Sequence, residues 1–128
     1  MLIVVDPSSG VPVFRQVMDQ VRFHIASGLL RAGDELPPTR TLSAELGVNP
    51  MTISKAYNLL ERDGVLERRP GRPLVVAQID PADLELEKLD QLRSHLAGAV
   101  RAAQQLGVNR GEAVKVFRRM LEKDERED

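Results

Sequence analysis

The chain has 128 residues, no cysteine and a formal net charge of −1. That length is about one domain with an additional helical segment and leaves no room for a large catalytic domain, while the missing cysteines exclude a disulfide framework and a thiolate metal site. The apolar run from Leu2 to Val5 is far too short for a signal peptide or a membrane span, so a cytoplasmic location and no membrane partner are expected.

From the N-terminus, Met1 to Asp6 reads as a small strand or an ordered arm, and Pro7-Ser8-Ser9-Gly10 as a turn. Phe14, Val17, Met18, Val21, Ile25 and Leu29 then recur at helical spacing, which predicts a supporting helix over about 12–30. Gly28 and Gly33 bracket its end, and Asp34-Glu35-Leu36-Pro37-Pro38 carries the chain on extended. A second helix is expected over 39–46, with Leu42 and Leu46 one turn apart. Gly47-Val48-Asn49 joins it to a third, which is helix-turn-helix spacing.

The third helix is the stretch around which the rest is organised. Asn49 suits the N-cap, because its side-chain oxygen accepts an orphan N–H of the first turn, and Pro50 at the first helical position has no N–H to lose. Ile53, Ala56 and Leu60 form one face, flanked by Tyr57 and Leu59; Met51, Thr52, Lys55 and Arg62 lie on or near the other. One face packs and the other is available to touch DNA. Gly64 ends the helix. Two strand-like runs, 65–69 and 74–76, follow around Pro70-Gly71-Arg72-Pro73, and a hairpin in that place is a wing.

Charge is compatible with this reading. Residues 1–78 carry 9 Lys/Arg against 8 Asp/Glu, residues 79–128 carry 9 against 11, and the stretch from Arg40 to Arg72 carries 6 against 4. Screening over about 8 Å at physiological salt lets a local basic patch act despite distant acids.

Ile79-Asp80-Pro81 marks a boundary, giving a DNA-binding domain over 1–78 and a two-helix tail over 79–128. In the tail, Leu89, Leu92, Leu96, Ala99, Ala103 and Leu106 alternate steps of three and four, the spacing of a packed helical seam. Gly107 stops that helix, and Asn109 with Glu112 caps a last one whose apolar face carries Ala113, Val114, Phe117, Met120 and Leu121. Two tail helices offer little area on which to bury this seam within one chain, so Leu89, Leu92, Leu96, Ala99, Ala103, Leu106 and Phe117 are expected to form a homodimer interface. The charged end, 123–128, is expected to fray. The fold class expected is mainly α with a small β-hairpin: a winged helix-turn-helix followed by a short helical dimerisation tail.

Several separated segments carry a resemblance. Val11-Pro12-Val13-Phe14 with Gln16-Val17, Ile25-Ala26-Ser27-Gly28, Gly33-Asp34-Glu35-Leu36-Pro37, Arg40, Leu42, Glu45-Leu46-Gly47-Val48 and Leu60-Glu61-Arg62-Asp63-Gly64 together resemble the winged helix-turn-helix of GntR-family bacterial repressors. Asn49-Pro50, Thr52 and Lys55-Ala56-Tyr57, with only a short helical tail, resemble the YtrA subfamily. The resemblance implies that Arg40 contacts a phosphate or base edge, that Asn49, Thr52 and Lys55 work in or beside the major groove, with Met51 on the same surface, and that Arg69 and Arg72 reach from the wing. Two departures stand out. Pro38 replaces the family's serine after Leu-Pro, which moves the cap and any hydroxyl–phosphate contact to Thr39; Pro73-Leu74 replaces the second glycine and threonine of the wing tip.

No metal or cofactor is expected, because neither His24 nor His95 has ligand-type neighbours at coordinating spacing. Ser54 and the scattered carboxylates show no base–orienter arrangement, so an enzyme is not expected. The expected function is a homodimeric, sequence-specific regulator, a repressor on an inverted-repeat double-stranded operator. The alternatives are a winged-helix protein-interaction module and a metabolite sensor with an unknown small-molecule effector between protomers.

Overall fold

The structure, a computed structural model, describes the backbone of residues 2–127 and the side chains of residues 2–123. The elements run α1 (Val13–Ala26), α2 (Thr39–Leu46), α3 (Pro50–Arg62), β1 (Leu66–Glu67), β2 (Val75–Val76), α4 (Pro81–Leu106) and α5 (Arg110–Glu127). Two compact units result, one extending through Leu89 and one beginning at Asp90. The mainly helical class with an antiparallel hairpin is therefore as expected.

In the first unit the apolar stripes meet in one core. Val17, Val21 and Ile25 from α1 pack with Leu42 from α2 and with Ile53, Ala56, Tyr57 and Leu60 from α3; Leu36, Leu66, Leu74 and Val76 close it from the wing side. Each fully buried Leu, Ile or Val contributes about 1.5–3 kcal/mol relative to exposure. α1 and α3 lie side by side, and two cross-links give their sense. Lys55 sits over the Phe14 ring, and Arg22 bonds Asp63. Position 14 is thus matched to 55 and position 22 to 63, so the helices run in the same direction.

α1 stops earlier than the predicted 30. Ser27 is the C-cap and Gly28 turns to φ +84°, a conformation that glycine alone adopts without a Cβ penalty. Leu29, expected on the apolar face, is consequently exposed, and Leu30 is the buried residue. The wing strands are also shorter than predicted. Leu66 pairs with Val76 and Glu67 with Val75, and the chain leaves the ladder at Arg68. A third extended segment supports them, where Leu36 N–H donates to Leu74 C=O at 2.8 Å and Val76 N–H to Asp34 C=O at 2.9 Å. The sequence predicts that segment as extended but not its bonds to the wing.

The arm before α1 is ordered and extended rather than a strand. Gln20 brackets Val4, accepting from its N–H and donating to its C=O, and Gln16 does the same for Asp6. His24 Nε2 donates to Leu2 C=O at 2.7 Å. The match is geometric. Four helical residues rise about 6 Å and two extended residues about 6.7 Å, so every second arm residue meets every fourth residue of α1. Ile3 faces inward and is buried between these contacts. Met1 lies outside the described residues.

In the tail, α4 and α5 bury no described side chain, and α5 is helical through Glu127 although 123–128 was expected to fray; Asp128 lies outside the described residues.

Candidate nucleic-acid interface

α3 owes its start to Asn49, whose Oδ1 accepts the Met51 N–H at 2.8 Å, while Gly47 at φ +67° makes the sharp exit from α2 that the turn requires. Asn49, predicted to touch DNA, therefore has its carbonyl oxygen committed to the cap and only its NH2 end available as a donor. At 100° per residue, the face of α3 opposite Ile53, Ala56 and Leu60 carries Met51, Ser54, Lys55, Asn58 and Arg62. Met51 is 77% exposed. Thr52 lies about a quarter-turn off this face and is half-buried.

Tyr57 fixes α2's lead-in to α3. Its hydroxyl donates to Pro37 C=O at 2.8 Å, and burial, assisted by the Glu45 carboxylate, holds the phenol protonated well above its ordinary pKa. α2 itself begins without a side-chain cap. Pro38 is the N-cap and Thr39 the first helical residue, so the expected cap at Thr39 is not formed.

Between the start of α2, α3 and the wing lies an open groove of about 270 Å³. Thr39, Ser54, Asn58, Arg68 and Arg72 line it, so hydroxyl, amide and guanidinium groups converge on one place. Such groups suit phosphate oxygens and base edges. Ser54, Asn58 and Arg68 were not among the predicted contacts. The pointer was present, since Met51, Ser54, Lys55, Asn58 and Arg62 follow the i, i+3, i+4, i+7, i+11 pattern of one helical face.

The remaining predicted residues are dispersed. Arg40 is exposed on α2, and Arg72 stands at the wing tip beside Gly71 (φ +69°); among the described residues neither has a carboxylate partner. Arg69 is paired with Glu67 at 3.4 Å and Arg68 with Glu61 at 3.3 Å. These pairs are exposed, which makes them weak and exchangeable. α1, α2 and α3 have no acidic residue in their first turns, whereas α4 and α5 carry Asp83 and Glu112 there. Their positive dipole ends are thus left without an internal counter-charge.

A second cavity, about 300 Å³, is lined by Arg22, Asp63, Asp80, Asp83 and Glu87, an acid-rich setting unsuited to phosphate. Among the described residues no cluster suits a metal ion, and no helix is long and apolar enough to cross a membrane. The tail leaves most of the predicted seam uncovered. Leu89, Leu92, Ala99, Leu106 and Phe117 are exposed, and Leu96 and Ala103 are half-buried.

Residues 14–76 match the family of bacterial regulatory proteins designated gntR. The chain is 32% identical over 107 residues to the HTH-type transcriptional repressor YtrA of Bacillus subtilis, covering 84% of this chain and 82% of that protein. A GntR family transcriptional regulator from Listeria monocytogenes superposes with a TM-score of 0.74 at 25% identity over 90% of this chain and 98% of its own. The DNA-binding domain of AraR in complex with operator ORX1 is similar over 60% of this chain and 95% of its own, with a TM-score of 0.52 and 26% identity. The winged helix-turn-helix, its donor-lined groove and these likenesses converge: the chain belongs to the GntR family, on its YtrA-like branch, and is a DNA-binding transcriptional regulator rather than an enzyme.

Proposed function

We propose that the protein works as a homodimer that represses transcription by occupying an inverted-repeat operator. The observation that carries this reading is the tail. Leu86 and Leu106 are 61% and 77% exposed, and Leu89, Leu92, Val100, Val114, Phe117, Met120 and Leu121 are exposed with them. An apolar surface of that extent on two helices is a pairing surface, because water opposes leaving it bare. The work divides between residues 1–78, which bind DNA, and 79–128, which pair the protomers. Two-fold pairing repeats each domain about an axis, so the operator repeats as an inverted pair of half-sites.

On each half-site the first turns of α3 enter the major groove. Asn49, Met51, Thr52 and Lys55 work in or beside the major groove, Thr39 and Arg40 reach the flanking phosphates, and Arg69 and Arg72 reach from the wing. The protein acts in the cytoplasm on chromosomal DNA, and a small-molecule effector would bind between protomers.

The test is binding to sheared genomic DNA, followed by titration of the enriched duplex against salt with sedimentation in parallel. A dimer on a palindromic site, with affinity falling steeply as salt rises, is the expected result. A monomer that binds the full site with undiminished affinity overturns the dimer reading.

A further inference from the structure

We infer that Arg15 and Lys55, gathered on the Phe14 ring, form a phosphate clamp on the α1 side of the recognition helix, so that Lys55 supplies affinity rather than sequence discrimination. The inference rests on the DNA-binding reading and refines it. Lys55 Nζ lies 4.0 Å from the Phe14 ring centroid, and Arg15 Cζ lies 6.0 Å from the same centroid. Among the described residues neither cation has a carboxylate partner, and Asp19, one turn along α1 from Arg15, makes no ion pair with it.

The other end of the same helix pair shows what neutralisation looks like. One rung is Phe14–Lys55 and another, eight residues further along both helices, is Arg22–Asp63 at 2.9 Å. The distal rung is closed by an ion pair; the proximal rung holds two like charges and an aromatic face. Because α1 and α3 run in the same direction, the proximal rung is the one beside the start of α3. The end of α1 that carries Arg15 is therefore presented to the DNA along with the end of α3 that enters the groove. Two unneutralised cations on one half-buried ring repel each other, and an anion beside them relieves that repulsion. The anion that the major-groove wall supplies is the sugar–phosphate backbone.

The ring also decides what Lys55 touches. A cation over an aromatic face is held there by the ring quadrupole, worth about a two- to fivefold preference at an exposed site. That draws the ammonium toward α1 and away from the centre of the outer face of α3. Base reading then falls to Met51, Ser54 and Asn58. The groove lined by Arg68 and Arg72 lies on the wing side, so the recognition helix is flanked by a cationic contact on each side.

The test uses the full chain, the duplex that it selects from genomic DNA, and a scrambled duplex of equal length, titrated over a salt series. R15A and K55A are each expected to lower the salt slope by about 0.9 and to weaken both duplexes by the same factor, leaving the ratio between them unchanged. F14L, which keeps both charges but removes the platform, is expected to weaken both duplexes about two- to fivefold, and F14Y to restore binding. A K55A variant that loses selectivity for the enriched duplex makes Lys55 a base reader and overturns the assignment. Unchanged slopes for R15A and K55A, with the wild type still steeply salt-dependent, overturn the clamp alone; a wild type with no salt-dependent binding overturns the DNA reading beneath it.

Discussion

Replacing Leu92 by alanine isolates what the tail seam contributes. Leu92 is 46% exposed in the single chain. Complete burial of a leucine is worth about 1.5–3 kcal/mol, so roughly half of that, about 1 kcal/mol per protomer, remains to be gained on pairing. A two-fold interface counts the substitution twice, which gives about 2 kcal/mol and a roughly 30-fold weaker dimer. Alanine is the strongest helix former, so the truncation leaves α4 itself intact. Sedimentation across a concentration series measures the dimer constant, and circular dichroism checks the helices. Leu92→Glu goes further, because an unpaired carboxylate in an apolar seam must be desolvated or protonated. Affinity for a full operator falls with dimerisation, since a lone protomer loses the effective concentration of its partner domain. A Leu92→Ala dimer constant within about threefold of wild type would refute the seam.

Tyr57→Phe removes the hydroxyl that donates to Pro37 C=O and lowers stability by about 1 kcal/mol in denaturant unfolding. Because Tyr57 ionises in the unfolded chain near 10 and at higher pH in the fold, its contribution is complete below pH 10 and is lost as pH rises beyond it; the phenylalanine variant should lack this alkaline loss. Asn49→Asp preserves the cap at α3 and its stability but places a negative charge at the DNA face, so it should unfold like wild type and bind every duplex more weakly. Asn49→Ala, by contrast, should cost about 1 kcal/mol of stability. Glu67→Gln releases Arg69 from its weak exposed pair and should strengthen binding to scrambled DNA more than to the operator, checked by titration of both.

The helices were legible because periodicity and caps are local signals. Asn49-Pro50 marked the start of α3, and Gly64, at φ +79°, its end. Gly28 carries the same punctuation for α1, but the apolar Leu29 extends the helical pattern to about residue 30, past the end at Ala26. The arm reads as a small strand or an ordered arm, yet what fastens it is not legible. Gln16, Gln20 and His24 bond backbone groups, and backbone groups leave no trace in side-chain pattern. The segment at 34–36 is legible as extended, but its ladder to Leu74 and Val76 is not, because it joins residues about forty apart. At the interface, Asn58 escaped notice because an exposed amide on a helix is ordinarily solvated, and only the groove beside Arg72 gives it company. Arg15 belonged to a different helix from the recognition stretch, and its nearness to Lys55 is a product of packing rather than spacing.

A net charge of −1 is reconciled with a DNA partner by where the acids stand. In the first unit, Asp63 is held by Arg22 at the end of α3 away from its entering turns, and Asp80 and Asp83 gather in the acid-rich cavity beside it. Near the wing, Glu61 and Glu67 face Arg68 and Arg69 across exposed pairs whose energies are small. These guanidiniums can exchange a carboxylate for a phosphate at little cost, while Arg40 and Arg72 need no exchange. Such an arrangement lowers the attraction for DNA in general more than for a site that also satisfies the face of α3, since general attraction has only the phosphate contacts to draw on. The modest charge thus favours selectivity: a strongly basic domain would be held by any duplex, whereas one with few free cations gains less from phosphate contacts alone.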